Sequence, residues 1–270
     1  MIINHNLNAM NAHRNLVFNN IQQGKSSEKL SSGYRINRAA DDAAGLSISE
    51  KMRAQIKSLN QAARNAQDGV SLVQTAEGAM NEVSDMLTRM KELATQASNG
   101  TYNTSDLKAI DNEYQKLATT IKTDIPTNTK FNGITLLNGS TATVTIQTGD
   151  NSSDTVKIDL SKANITGLTF AADLSVAGAA STELAAIDTA IGTVNTARSE
   201  LGATQNQLEH RFNNIESTSE NLQAAESRIR DTDMASEMMT YTKFNVLQQA
   251  ATSMLAQANQ APQNVLQLLR

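Results

Sequence analysis

The chain has 270 residues, a formal net charge of −4 from 23 Lys+Arg against 27 Asp+Glu, no cysteine, no tryptophan and 3% aromatic residues. No basic excess or polybasic run argues for nucleic acid or an anionic membrane, and no thiol is present for a disulfide, a thiolate metal site or a Cys nucleophile. An ordinary core built on large rings is excluded as well.

The opening Met1-Ile2-Ile3-Asn4-His5-Asn6 has no basic segment ahead of an apolar run, so a cleavable secretory signal is not expected. No stretch approaches 18 consecutive apolar residues, so no transmembrane helix is expected either. The two prolines, Pro126 and Pro262, leave 125 residues free to build long helices.

The first predicted element carries Ile3, Leu7, Met10, Val17 and Ile21 on a 3-4 alternation with Arg14 in the remaining slot, a heptad pattern. Ser31-Ser32-Gly33 marks its break. Asp41 or Asp42 caps the next helix, which the spacing extends from Ala44 to Ser98, roughly 80 Å at about 1.5 Å per residue. Two offset apolar rows run along it: Leu59, Ala63, Ala66, Val70, Val73 and Met80, and Leu72, Ala76, Ala79, Val83, Met86, Met90, Leu93 and Ala97. A helix with two such rows is contacted from two sides. Asn99-Gly100 is a turn. Ser105 is the expected cap of a helix carrying Leu107, Ile110, Tyr114, Leu117 and Ile121, which Pro126 should end.

Between about 130 and 180 the pattern changes. Thr143–Ile146 and Thr155–Ile158 alternate polar and apolar around Gly149-Asp150-Asn151-Ser152, a predicted β-hairpin. The Gly, Ser, Thr and Ala content nearby predicts an exposed, tolerant segment. A heptad then returns through Leu184, Ile187, Ile191, Val194, Leu201, Leu208, Phe212, Ile215, Leu222 and Ile229. After Asp231-Thr232-Asp233 a last helix carries Phe244, Leu247, Ala251, Met254, Ala258, Ala261, Val265 and Leu268. The expected fold is therefore mainly α: an elongated antiparallel helical bundle or coiled coil with a small β-hairpin and its N- and C-termini paired.

Residues 1–24 carry one formal charge, Arg14, and residues 238–269 carry one, Lys243. Charge-poor amphipathic helices suit packing on several faces, where an unpaired charge is expensive to bury. The few large apolar side chains of either arm do not offset the entropy of ordering it, so each end is expected to need the other and neighbouring copies.

His5, His13 and His210 have no carboxylate cluster beside them, and no His-Glu-x-x-His occurs. Met80, Met86 and Met90 read as core fillers. Phosphate-binding loops and nucleophile–base constellations are absent, so neither an enzyme nor any cofactor or metal is expected.

Met1–Leu7, Leu30-Ser31-Ser32-Gly33-Tyr34-Arg35-Ile36-Asn37 and Ala39–Leu46 resemble the N-terminal signature of bacterial flagellin. Leu87–Ala94 with Ser98–Thr101 resembles that family's central helix and turn. Ala224–Asp233 and Pro262–Leu268 resemble its C-terminal signature. The resemblance covers roughly 1–139 and 181–270. It implies a structural subunit that self-assembles into the flagellar filament for motility, exported by the flagellar type III system and found outside the cell. Residues 1–43 with 235–270 would form a terminal coiled-coil domain lining the inner tube. Residues 44–234 would form a helical rod domain of the outer tube, with its β insertion at about 130–180 and no projecting outer domains.

The assembly rows would be Ile3, Leu7, Met10, Val17, Ile21, Phe244, Leu247, Met254, Val265 and Leu268. The implied partners are sister copies, a chaperone on the C-terminal segment, and the filament cap and hook-junction proteins. By the same resemblance, Arg89, Leu93 and Glu113 match positions that contact a host Toll-like receptor. A hook–filament junction protein shares the terminal helices and is the nearest alternative; a secreted adhesin or receptor ligand is a third.

Overall fold

A computed structural model describes residues 6–170, 173–176 and 179–268, the last eight by their backbone alone. The chain is mainly helical, with two small antiparallel β-ribbons. It forms two compact units, Met1–Ala54 with Asn221–Arg270, and Gln55–Glu220.

In the first unit, α1 (Leu7–Ser32) starts where the Asn6 side chain accepts from the Ala9 N–H at 3.1 Å. It ends at Gly33, whose φ of 75° permits the left-handed turn that lets its N–H reach the Lys29 carbonyl. The two adjacent aspartates divide their work. Asp41 Oδ2 accepts from the Asn37 and Arg38 amides and closes the preceding turn. Asp42 caps α2 (Ala43–Ala97), taking the Gly45 N–H at 2.8 Å.

The last helix, α6 (Met234–Leu268), is capped by Asp233, which accepts from the Ala235 and Ser236 amides. α1 and α6 lie antiparallel, as three contacts show: Asn6 Nδ2 donates to the Ala258 carbonyl, Gln248 Nε2 to Asn20 Oδ1, and Lys29 sits 4.0 Å from Glu237. At the far end Tyr34 bridges to Asp231, and the Arg230 guanidinium lies 4.6 Å over the Tyr34 ring and 2.8 Å from Glu50.

The second unit holds the core. Along α2 the deepest line is Leu59, Ala62, Ala66, Gly69, Val73, Ala76, Met80, Val83, Leu87, Met90 and Ala94. It is one 3-4 row that takes Leu59, Ala66, Val73 and Met80 from the first predicted row and Ala76, Val83 and Met90 from the second, and adds Ala62, Gly69, Leu87 and Ala94, which neither contained. Ala63, Val70, Ala79, Met86 and Ala97 only flank it, because a helix packed on two sides buries most deeply the strip between its two contacts. α5 (Ala179–Arg230) buries Glu183, Ile187, Ala190, Val194, Ala197, Leu201 and Leu208, which keeps the heptad and shifts its second position by one residue.

Three expectations are corrected. The cap of α3 (Thr104–Thr119) is Asn103, not Ser105; its side chain takes both the Ser105 and Asp106 amides. Pro126 does not end the helical path. Thr120–Asp124 forms a π-helical turn in which the Ile125 N–H reaches back to the Thr120 carbonyl, and α4 (Ile125–Asn128) carries Pro126 in its first turn, where no N–H is needed.

The third correction concerns the exposure expected of the segment from about 130 to 180. Leu136, Leu137, Val156, Ile158, Leu160, Ile165 and Leu174 are all buried in the core cluster with the helices. β3 (Thr143–Gln147) and β4 (Thr155–Asp159) pair as expected, with Val144 opposite Ile158. A shorter ribbon, β1 (Lys130–Phe131) with β2 (Ile134–Thr135), turns at Asn132 and Gly133, both at positive φ.

Candidate interaction surfaces

Among the described residues, the end helices fully bury no large apolar side chain between them. Asn19 and Ser26 are the buried residues of α1, with Ala9, Ala12, Leu16 and Gln23 half-buried. The predicted apolar row therefore faces away from this contact. Leu7 is 68% exposed and Met10 64%, and Val17, Phe18 and Ile21 are exposed beside them. On α6, Leu247 and Met254 are exposed and Phe244 is half-buried. Ile3 lies outside the described residues, as do the side chains of Val265 and Leu268.

Two shallow apolar grooves mark this unit. One, along α6, is lined by Met238, Met239, Thr242, Lys243, Val246 and Leu247. The other runs between α1 and α6 past Ala12, Phe18, Asn19, Ala251, Met254 and Ala258. Phe18, Met238, Met239 and Val246 are missing from the residues expected to act here. Phe18 directly follows Val17, and Val246 directly precedes Leu247, so each widens a row whose 3-4 template kept only its strict positions. Soluble surfaces seldom leave so many large apolar side chains of two adjoining helices in water. The single charge in each of residues 1–24 and 238–269 leaves little electrostatic brake on association there.

In the second unit, Arg89 Nε donates to Glu113 Oε1 at 2.9 Å and Arg89 also reaches Glu92 Oε2 at 3.0 Å. Glu113, and then Glu92, hold the proton of this guanidinium more tightly than usual. Both Arg89 and Glu113 are exposed, whereas Leu93 is only 2% exposed and belongs to the core. The structure thus brings Arg89 and Glu113 together on the surface and turns Leu93 inward. Deeper in the unit, the Tyr114 hydroxyl donates to Glu183 Oε1 at 2.6 Å, joining α3 to α5. Burial first, and this bond second, push the phenol up from its ordinary value.

Among the described residues no three or more His, Cys, Asp or Glu side chains gather as a metal site, and no helix is long and apolar enough to cross a membrane. The outward rows and the two grooves are surfaces suited to association.

Comparison with known proteins gives the same reading. The model of the bacterial flagellin N-terminal helical region matches residues 3–142, and that of the C-terminal helical region matches residues 184–269. A flagellin of Halalkalibacterium halodurans is 55% identical over 273 residues, covering the whole of both chains. The crystal structure of Bacillus cereus flagellin is 36% identical at a TM-score of 0.52, covering 60% of this chain and 94% of that one. A putative flagellar hook-associated protein from Vibrio parahaemolyticus, 13% identical at a TM-score of 0.58 over 71% of this chain and all of that one, shares the fold alone. With both helical regions matched in order and a relative aligned from end to end, the chain belongs to the bacterial flagellin family.

Proposed function

We propose that the outward apolar rows of α1 and α6 are the surface through which copies of this chain join. As a flagellin, the protein is a structural subunit that self-assembles into the bacterial flagellar filament. The observation that carries the finer reading is the exposure of Leu7, Met10, Val17, Ile21 and Met254 on stretches, 1–24 and 238–269, that carry one formal charge each. In the assembly, residues 1–43 with 235–270 line an inner tube and residues 44–234 form the wall around it, with Ile3, Val265 and Leu268 continuing the rows. Seeded polymerisation tests this. Purified subunit added to filament fragments elongates them, and a chain truncated at Phe244 stops growth while 44–230 stays helical. Growth of the truncated chain would overturn the reading.

The protein works outside the cell, reached through the flagellar type III route, and has no catalytic role. A chaperone covers the C-terminal segment beforehand, and cap and hook-junction proteins bound the polymer. The Arg89–Glu113 pair is the exposed part of a site for a host Toll-like receptor, while Leu93, the third expected position, lies in the core. A reporter-cell assay in which Arg89→Ala loses no activity would remove that role.

A further inference from the structure

We propose that Met10 of α1 and Met238, Met239 and Met254 of α6 are oxidation sites, and that their conversion to sulfoxides by a hydroperoxide withdraws the free subunit from assembly. The inference rests on the self-association reading and adds a control to it. The chain has neither cysteine nor tryptophan, so its thioethers are the side chains most open to a mild two-electron oxidant.

Their exposure is sharply divided. Met80 and Met90 are fully buried in the core of the second unit, and Met52 and Met86 are half-buried. Met10, Met234, Met238, Met239 and Met254 are exposed, all in the unit of the end helices. Met238 and Met239 line the groove along α6, Met254 lines the groove between α1 and α6, and Met10 stands in the outward row with Leu7, Val17 and Ile21. A thioether suits such a surface, being apolar, flexible and able to fit an irregular partner.

The step is simple. The sulfur lone pair attacks one oxygen of the hydroperoxide. The S–O bond forms as the O–O bond breaks, the thioether gives up two electrons, and the other oxygen leaves with a proton as water or an alcohol. The product carries a strong, water-seeking dipole where an apolar surface must be covered. Assembly hides these sulfurs, so the control acts on the free subunit and spares the polymer.

The experiment treats free chain with dilute hydrogen peroxide, maps sulfoxides by peptide mass spectrometry and measures elongation from untreated filament fragments. Sulfoxides are expected at Met10, Met238, Met239 and Met254, but not at Met80 or Met90. Burying a methionine side chain is worth more than a factor of ten in association, so elongation should fall at least about tenfold. Methionine sulfoxide reductase with a dithiol should restore it. The variant M10L/M238L/M239L/M254L should keep its rate after peroxide although Met234, which lines neither groove, still oxidises. If that variant does not elongate before treatment, reversal by the reductase decides the matter. Equal elongation by the oxidised and untreated chains, or no recovery on reduction, overturns the proposal and leaves self-association standing; failure of the untreated chain to elongate overturns self-association itself.

Discussion

At the scale of single residues, the most consequential contact of the second unit is Tyr114 with Glu183. Both are buried, and the phenol supplies the hydrogen bond that makes an inward carboxylate tolerable. Tyr114→Phe removes that donor and should lower stability by about 1–3 kcal/mol in urea unfolding, while Glu183→Gln, which keeps an acceptor, should cost less. A pH dependence follows. The folded pKa of Tyr114 lies above its ordinary value of 10.0, so the folded state favours the protonated phenol. Its contribution is complete below about pH 10 and is lost as the pH rises beyond, where the unfolded chain sheds the proton. The wild type should therefore lose more stability than Tyr114→Phe above pH 10; identical profiles would exclude this linkage. The turn before α2 is equally specific. A Cβ at Gly45 would lie 2.4 Å from Asp42 Oδ2 and 2.8 Å from Ile36 Cδ1. Gly45→Ala must displace the cap and should cost at least as much as Asp42→Ala, about 1 kcal/mol, by thermal unfolding.

At the scale of elements, periodicity made the helices legible. The break of α1 at Gly33, the aspartate cap of α2 and the interruption before α6 follow from residue type and spacing alone, as do the β3–β4 hairpin and, with its second position shifted by one residue, the heptad of α5; the caps Asn6 and Asp233 do not stand out from sequence. The misses have local causes. Asn103 and Ser105 both belong to the capping residues, and only backbone geometry shows that Asn103 occupies the cap. Asn132-Gly133 between Phe131 and Ile134 carries a hairpin signal, but two-residue strands offer no alternation to reinforce it. The segment 136–174 misled through composition. Its abundant Gly, Ser and Thr masked the large apolar residues: Val156, Ile158 and Leu160 continue the alternation of β4 into the core, while Leu136, Leu137, Ile165 and Leu174 enter it from loops, where no period reports them. Leu160→Ala should therefore destabilise the unit by about 2–5 kcal/mol, as for any large buried side chain. Ser152→Ala, in the exposed turn, should stay within about 0.5 kcal/mol. Comparable small effects from both would mean this segment is the tolerant surface that its composition implies.

At the scale of the molecule, the two units differ in what holds each together. The second has a continuous core from α2, α3, the β segment and α5. Among the described residues of the first, Ile36 is the one fully buried apolar side chain; Asn19, Ser26 and Ser49 are buried as well, and are polar. Side-chain amides, one long ion pair, and half-buried alanines, leucines and Phe244 join α1 to α6. Such contacts contribute little against the conformational entropy of two helices. Most of the burial available to these helices lies on their outward rows and awaits sister chains. The end helices of a free subunit should thus open on a low-free-energy path while residues 55–220 stay folded. Limited proteolysis reads this directly. Cleavage in the free subunit should begin within α1 and α6 and leave a resistant fragment spanning 55–220, whereas in the polymer both end helices should resist. If α1 and α6 in the free subunit proved as resistant as residues 55–220, their order would not depend on assembly, and the outward rows would no longer be the source of it.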